Sequence, residues 1–408
     1  MKYIILLGDG MADYPIDSLG GMTPLQAAYT PHMDSIATEG TLGLIDTIPS
    51  GYSPGSDVAI LTVLGYEAKK YFTGRGPLEA ANMGVQLKPD DVAFRCNLVT
   101  VNMDEGFFME DFTAGHITTQ EAREIIDFLQ EALGTEEFQF YPGVSYRHLM
   151  VWKNGADDLR TVPPHDITGK QIDSYLPAGK GSEKLRDLIK RSQEVLLHHP
   201  ANRRRMSEHR KPATSIWLWG QGKAPRMVRL TEKYGLSGGM ISAVDLLNGI
   251  GIYAGLEVVH VEGATGYTDT NYYGKAAEAI KTLEKSDFVF VHVEAPDEMG
   301  HEGNLQGKIR AIEDFDEKIV GCVMKEIRKH EPFRLMVLSD HPTPIALKTH
   351  AANPSPFAVF SSLEAENLKN GISFNEASAE KTGVIISPGH LLMDSFIKRW
   401  SEFVERLR

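Results

Sequence analysis

Tyr3-Ile-Ile-Leu-Leu-Gly-Asp9-Gly-Met11 opens the chain with a continuous apolar run that stops on a carboxylate. A run of this kind reads as a buried strand, apolar on both faces, as in a parallel sheet. Asp9 then stands just beyond the strand's carboxyl end, where open α/β sheets collect their functional groups. The same pattern returns far downstream. Residues 288–293 are nearly all apolar and lead to Asp297-Glu-Met-Gly-His301, and residues 335–338 lead to Asp340-His341. A lone Asp after a strand favours a helix cap or a turn carboxylate. Three in equivalent positions, two of them accompanied by His, favour a metal. Asp297 and His301 are four apart and face the same way on a helical turn. Asp340 and His341 are adjacent, and a tight loop can offer them to different ions.

Two more residues complete the set. His350 lies in a loop near Pro342, Pro344 and Pro354, where a histidine taken alone reads as a surface residue. Ser56, in Pro54-Gly-Ser-Asp57, precedes an apolar stretch and reads equally well as an N-cap or as a nucleophile at a helix start. Asp9, Asp297, Asp340, His301, His341, His350 and Ser56 give three carboxylates, three imidazoles and one hydroxyl. That is enough for two divalent cations beside a serine, a combination suited to phosphoryl chemistry. Mixed N/O ligation favours zinc or manganese over magnesium alone.

More than two hundred residues separate the two halves of this set, which implies a second domain inserted in the first. From about Gly84 the texture changes. Residues 92–102 read as a strand, 118–133 as an amphipathic helix, and 138–141 and 146–152 as strands. This is a compact α+β insert. Residues 163–181 read as a linker and 183–205 as a basic helix, with the Arg203-Arg-Arg205 run on its solvated face. From residue 216 the alternation of short apolar strands and helices resumes, with strands at 216–219, 239–242, 258–261, 288–293 and 334–339 and long helices at 273–285 and 308–329. A further helical stretch is expected at 23–39. The expected fold is therefore α/β, a mostly parallel sheet with helices on both faces, formed by residues 1–78 and 191–408. A smaller α+β domain occupies 79–190, with hinges near Gly76-Pro77 and residues 177–181.

Composition narrows the partners. With 42 Lys and Arg against 55 Asp and Glu, the formal charge of −13 argues against nucleic acid or an anionic membrane. It leaves room for a small anion held by arginines and cations. Two cysteines, Cys96 and Cys322, give no disulfide framework, and no stretch approaches the roughly 20 apolar residues of a membrane span. The first apolar run is too short for a signal peptide, so a cytoplasmic location is expected.

These motifs resemble the alkaline phosphatase superfamily, and more closely the archaeal-type, cofactor-independent phosphoglycerate mutases that need no 2,3-bisphosphoglycerate. The matching stretches are Leu7-Gly-Asp-Gly-Met11, Pro54-Gly-Ser-Asp57 with Leu64-Gly-Tyr66, and Thr73-Gly-Arg-Gly-Pro-Leu-Glu-Ala80. To these are added Phe94-Arg-Cys-Asn97, Glu262-Gly-Ala-Thr-Gly266 with Asp269-Thr-Asn271, His292-Val-Glu-Ala-Pro-Asp297 with Gly300-His301, and Ser339-Asp-His341. The resemblance implies an alkaline phosphatase-like catalytic domain. It also implies one metal on Asp9, Ser56, Asp340 and His341 and another on Asp297, His301 and His350, the family's ions being manganese, zinc or cobalt, with magnesium as a further substitute. Ser56 would carry the phosphoryl group as 3-phosphoglycerate and 2-phosphoglycerate interconvert, a step of glycolysis and gluconeogenesis. The insert would act as a lid that excludes water. The family grips its phosphorylated hydroxy acid with basic residues of the insert, which here makes His116, Arg95, Arg147 and His148 the candidates, with Lys275 reaching toward the phosphoryl group. Residues 163–215 also resemble a bacterial subgroup proposed to contain homoserine kinases. A phosphotransferase acting on homoserine, or a metal-dependent phosphatase, is therefore the alternative. The chain lacks a Walker-type phosphate loop and a protein-kinase signature.

Overall fold

The computed structural model describes residues 1–102, 106–364 and 372–407. Its strands are β1 (Lys2–Gly8), β2 (Thr41–Ile45), β3 (Val92–Asn102), β4 (Phe108–Asp111), β5 (Phe138–Val144), β6 (Arg147–Trp152), β7 (Ser215–Lys223), β8 (Gly238–Ile241), β9 (Glu257–Val258), β10 (Phe288–Val293), β11 (Phe333–Leu338), β12 (Ser355–Ser361) and β13 (Ile385–Ile386). The chain divides into two compact units, Met1–Phe72 with Met227–Arg408, and Thr73–Arg226. Among the described residues no helix is long and apolar enough to cross a membrane.

The first unit carries an eight-stranded sheet in the order β13-β2-β12-β11-β1-β10-β8-β9. Only β12 runs antiparallel to both its neighbours; the remaining pairs are parallel. The central strand β1 is buried on both faces. Ile4 and Leu6 pack into a core shared with helices Tyr272–Lys285 and Leu305–Phe315. On the other face Tyr3 rests edge-on against Phe396 of helix Leu391–Lys398, with ring centroids 5.8 Å apart. The register sets Gly8 beside Val293 and Leu7 beside Leu338. Three adjacent strands thus end level, and the segments bearing Asp9, Asp297 and Asp340 leave the sheet together.

The second unit has a five-stranded sheet, ordered β4-β3-β6-β5 with β7 also paired to β3. One face is covered by helices Thr119–Leu133 and Ser182–Leu196, whose Ile125, Leu129, Leu185 and Ile189 pack against Phe94, Cys96 and Leu98. The first of these helices begins with a capping box between Thr118 and Glu121, which satisfies two otherwise unpaired N–H groups.

The insert is therefore longer than its sequence texture suggests, running 73–226 rather than 79–190. Strand β7 pairs antiparallel with β3 from Val92 to Val99, and helix Ser182–Leu196 packs on the same sheet. The apolar run at 216–219 looks like the returning α/β alternation because composition does not say which strand it will pair with. Gly76-Pro77, near which a hinge is expected, falls inside the second unit. It lies in helix Arg75–Asn82, where a Cβ on Gly76 would come within 2.3 Å of the Ala93 carbonyl oxygen. Residues 177–181 are likewise inside the unit, tied by the Arg160–Ala178 bridge. The helical stretch at 23–39 is two helices, Pro24–Ala27 and Pro31–Glu39, the second starting on Pro31, which has no N–H to continue the first. The helix expected over 308–329 contains a π turn, Asp316–Gly321, whose Asp316 carboxylate accepts the backbone N–H groups of His32 and Met33.

The basic helix at 183–205 is also two helices, and its arginines divide. Arg204 is exposed, but Arg205 is fully buried. Its guanidinium donates to the Lys211 carbonyl at 2.8 Å, to Glu121 at 2.8 Å and to the carbonyls of Ala114 and Gly115 at 2.6 and 3.2 Å. Arg205→Met removes this donor from the buried Ala114 carbonyl, from the part-buried Lys211 and Gly115 carbonyls and from Glu121, which keeps Arg210 and Thr118. We expect it to destabilise the protein by about 1–3 kcal/mol, chiefly through the unpaired Ala114 carbonyl, measured by urea unfolding. No measurable loss would show that water replaces the guanidinium.

Candidate functional site

Asp297 and His301 lie on helix Ala295–Glu302, which follows β10 directly, and their spacing brings His301 Nε2 to 3.1 Å from Asp297 Oδ2. His350 joins them from its loop, with Nε2 2.9 Å from His301 Nε2 and 3.4 Å from Asp297 Oδ1. Ligand atoms roughly 2.0–2.1 Å from one ion span roughly 2.9–3.4 Å in octahedral or tetrahedral geometry, so this triangle fits a cation. The tautomers fit as well. His301 Nδ1 faces the Lys348 carbonyl at 3.1 Å and His350 Nδ1 faces the Pro54 carbonyl at 3.3 Å. A carbonyl only accepts, so both Nδ1 atoms carry a proton, and Nε2 is the atom each ring turns toward Asp297 and would offer to a cation once deprotonated. Its hydrogen bond to Asp297 pushes His301 up to about 9, against the effect of burial. Burial acts to raise the Asp297 carboxyl, yet hydrogen bonds from His301 and His350 hold it well below the usual carboxylate range.

A second group gathers around Asp9. His341 Nε2 lies 3.6 Å from Asp9 Oδ1 and 3.4 Å from Asp340 Oδ2, and all three residues are fully buried. Asp9 Oδ1 and Asp340 Oδ2 are buried acceptors without a hydrogen-bond partner. Leaving such atoms unpaired costs stability, and a bound cation would satisfy both. Burial, and then the charges of Asp340, Asp297 and Glu294, push the Asp9 carboxyl well up. Ser56 completes the group, its Oγ 3.2 Å from Asp9 Oδ2 and 3.3 Å from His341 Nε2. The N-cap position of helix Ser56–Val63 belongs to Gly55, so the Ser56 hydroxyl is not consumed as a cap and turns to Asp9 and His341 instead.

Sequence reasoning missed His292 and Glu294, which form a further trio with Asp9. His292 Nε2 is 2.8 Å from Asp9 Oδ2, and its Nδ1 is 3.2 Å from Ser242 Oγ. Burial, reinforced by the Lys275 charge, pushes His292 down to about 3, so it is neutral. The available signal was a histidine inside an otherwise apolar strand. Lys275 is placed differently from expectation. It is fully buried, donates to the His292 carbonyl at 3.0 Å, and is lowered to about 8 by burial, with Glu294 opposing. Enclosed behind β10, it is not displayed to an incoming phosphoryl group.

The basic candidates of the second unit also separate. His148 sits on β6 opposite Cys96, on the helix-covered face, and is 1% exposed. Its Nδ1 accepts the Gly143 N–H at 2.9 Å, and burial lowers it to about 3. It is a neutral core histidine, which removes it from the acid-binding set. Arg95 and Arg147 occupy the other face. Arg95 pairs with Glu79 at 2.9 Å and stacks 4.3 Å from the Trp219 ring centre, while Arg147 is exposed beside Tyr146. Burial lowers the Arg95 guanidinium, and the charges of Arg75 and Arg147 lower it further. Arg75 is thus an additional member of this cationic face, and His165, whose proton affinity burial lowers, lies beside it with its ring 5.5 Å from that of Trp219. His116 stands exposed on a left-handed turn with φ 49°.

Residues 37–202 match a family model described as 2,3-bisphosphoglycerate-independent phosphoglycerate mutase. A Geobacter sulfurreducens protein named a probable 2,3-bisphosphoglycerate-independent phosphoglycerate mutase is 55% identical over 98% of this chain and 100% of its own. A Methanosarcina barkeri protein named as such a mutase is 55% identical over 93% and 95% of the two chains. Among solved structures, a Pyrococcus horikoshii protein superposes with a TM-score of 0.80 at 28% identity, covering 98% of this chain and 97% of that one. The cofactor-independent phosphoglycerate mutase of Thermoplasma acidophilum superposes with a TM-score of 0.66 at 26% identity, covering 98% and 99%. With relatives matched at more than half identity along almost its whole length, the chain belongs to the 2,3-bisphosphoglycerate-independent phosphoglycerate mutase family.

Proposed function

We propose that this chain interconverts 3-phosphoglycerate and 2-phosphoglycerate without 2,3-bisphosphoglycerate, through a phosphoryl group carried on Ser56. The observation that carries the reading is the position of the Ser56 hydroxyl, within 3.3 Å of both Asp9 and His341 in a buried group with two unpaired carboxylate oxygens. In this reading Asp9, Asp340, His341 and Ser56 hold one divalent cation, and Asp297, His301 and His350 hold the other. Manganese comes first, and zinc, cobalt or magnesium are substitutes. Bound there, such ions supply charge neutralisation for the phosphoryl oxygens and favour ionisation of a nearby hydroxyl.

The chain's own part is nucleophilic and positional. Ser56 Oγ forms a bond to phosphorus as the bond from phosphorus to the 3-oxygen of glycerate breaks. Ser56 gives up its hydroxyl proton and the released 3-hydroxyl gains one, so the step balances. The 2-hydroxyl of the retained glycerate then attacks the phosphoserine and restores Ser56. No water is consumed, and a water that reached the phosphoserine would turn the enzyme into a phosphatase. The grip on the glycerate carboxylate we assign to the insert, to Arg95 and Arg147 with Arg75, His165 and His116 as further contributors. Arginine suits a carboxylate because its planar fork matches both oxygens. The reported relatives are named as mutases, which favours this reading over the homoserine phosphotransferase.

The direct test is phosphorus NMR of manganese-loaded protein with 3-phosphoglycerate and neither nucleotide nor bisphosphoglycerate. Equilibration with 2-phosphoglycerate is expected, whereas free phosphate alone would assign a phosphatase. Ser56→Ala is expected to slow interconversion by at least about 1,000-fold while manganese binding, measured by calorimetry, largely survives. Full activity in this variant would overturn the phosphoserine route.

The pH dependence of cation binding has a fixed sign. Below about pH 9 the metal-free His301 holds a proton that an incoming cation must displace. Apparent affinity at the Asp297 group is therefore expected to rise by about tenfold per pH unit between pH 6.5 and 8.5. Calorimetry in two buffers of different ionisation enthalpy would read about one proton released per ion. A flat profile would remove His301 from the ligand set.

A further inference from the structure

Thr343 lies between the two groups and belongs to neither. It is fully buried. Its hydroxyl is hydrogen-bonded to Asp297 Oδ1 and lies 3.3 Å from His341 Nδ1. A hydroxyl has one proton to give. The Asp297 carboxylate can only accept, so the Thr343 proton goes there and the lone pairs of its oxygen remain for the His341 N–H. That arrangement puts the His341 proton on Nδ1 and leaves Nε2, the atom facing Asp9, Asp340 and Ser56, with a free lone pair. For His301 and His350 a backbone carbonyl sets the same tautomer. For His341 the partner is a side chain that also holds a residue of the other group.

The position of this hydroxyl is fixed from several sides. The Thr343 N–H donates to the Ala12 carbonyl at 3.2 Å, and its own carbonyl accepts from the buried Lys308 Nζ at 2.9 Å. Two glycines leave it space. A Cβ on Gly10 would come within 2.6 Å of Thr343 Oγ and within 2.5 Å of Asp297 Oδ1, and a Cβ on Gly300 within 2.6 Å of the Thr343 carbonyl oxygen. Gly10 also has a φ of +61°, which a side chain would strain.

We propose that Thr343 is a positioning residue that couples the two cation groups, setting the His341 tautomer in one while orienting the Asp297 carboxylate in the other. This inference rests on the two-cation reading above. Its consequence is that removing one hydroxyl, with no ligand touched, weakens both groups together. Hydrogen-bond partners of metal ligands are typically worth about 10–100-fold in affinity, and loss of that size is expected at both groups in Thr343→Val.

The test is calorimetric titration of the metal-free full chain with manganese, with bound ions counted by elemental analysis. Wild type, Thr343→Val, Thr343→Ser and Thr343→Ala are compared, and thermal melting of each metal-free variant checks its fold. Serine keeps the hydroxyl and is expected to bind within about threefold of wild type, while valine and alanine bind both ions weakly. If valine does not fold, the contrast between serine and alanine decides the question in the same way. Two ions bound by the valine variant with wild-type affinity, or a serine variant as weak as alanine, would overturn the role of the hydroxyl. A wild-type chain that binds no manganese would instead overturn the cation reading itself.

Discussion

Three carboxylates, Asp9, Asp297 and Asp340, are buried together at the level ends of three adjacent parallel strands, and their mutual repulsion is the constraint around which this fold is arranged. Burial first, and then the like charges of Asp340, Asp297 and Glu294, raise the proton affinity of Asp9. The chain answers with imidazoles facing each group and with Lys275 behind β10 opposite Glu294. It still leaves an oxygen of Asp9 and one of Asp340 without a donor. A fold that keeps unpaired anionic oxygens at its centre is prepared for positive charge from outside, and Ser56 stands at the edge of that charge.

The scaffolding behind these groups is correspondingly polar and fixed. Lys308, fully buried, donates to the Ala12 and Thr343 carbonyls and pairs with Asp13 at 2.8 Å. It thereby joins the loop after β1 to the loop after β11. Asp13 accepts in turn from the Ile345 N–H, and its own N–H donates to Glu376, which also receives the Thr23 hydroxyl. Such a network holds the loops that carry the candidate ligands to a small range of positions, as orientation-sensitive phosphoryl transfer would require. The insert contributes a different kind of charge. On its sheet face Arg95 is stacked on Trp219 and paired with Glu79, which fixes the plane of that guanidinium.

Much of this was legible in the sequence. The apolar run into Asp9 and the runs into Asp297 and Asp340 located three strands and the candidate residues at their ends, because the carboxyl-end rule ties side-chain position to topology. Their convergence with His301, His341, His350 and Ser56 followed the motifs. What was not legible depended on partners chosen in three dimensions. Strand β7 joined the insert because β3 offered it an edge. Arg205 left the solvated face of its helix because four acceptors converge where it lies. His148 and Lys275 carried the right charge types for substrate binding, but strand alternation and helix phase turned them inward. Thr343 is one hydroxyl two residues beyond a motif, and nothing in its local sequence marks it as the contact between two groups.

In the proposed reaction the phosphoryl group resides on Ser56 before it returns to glycerate. Manganese-loaded protein mixed with 3-phosphoglycerate, quenched in acid within milliseconds and digested for peptide mass spectrometry, tests this most directly. Phosphate is expected on the peptide containing Ser56, in an amount that rises and then holds steady as the two isomers equilibrate. Isomerisation with no phosphate on Ser56, or with phosphate on another residue, would contradict it.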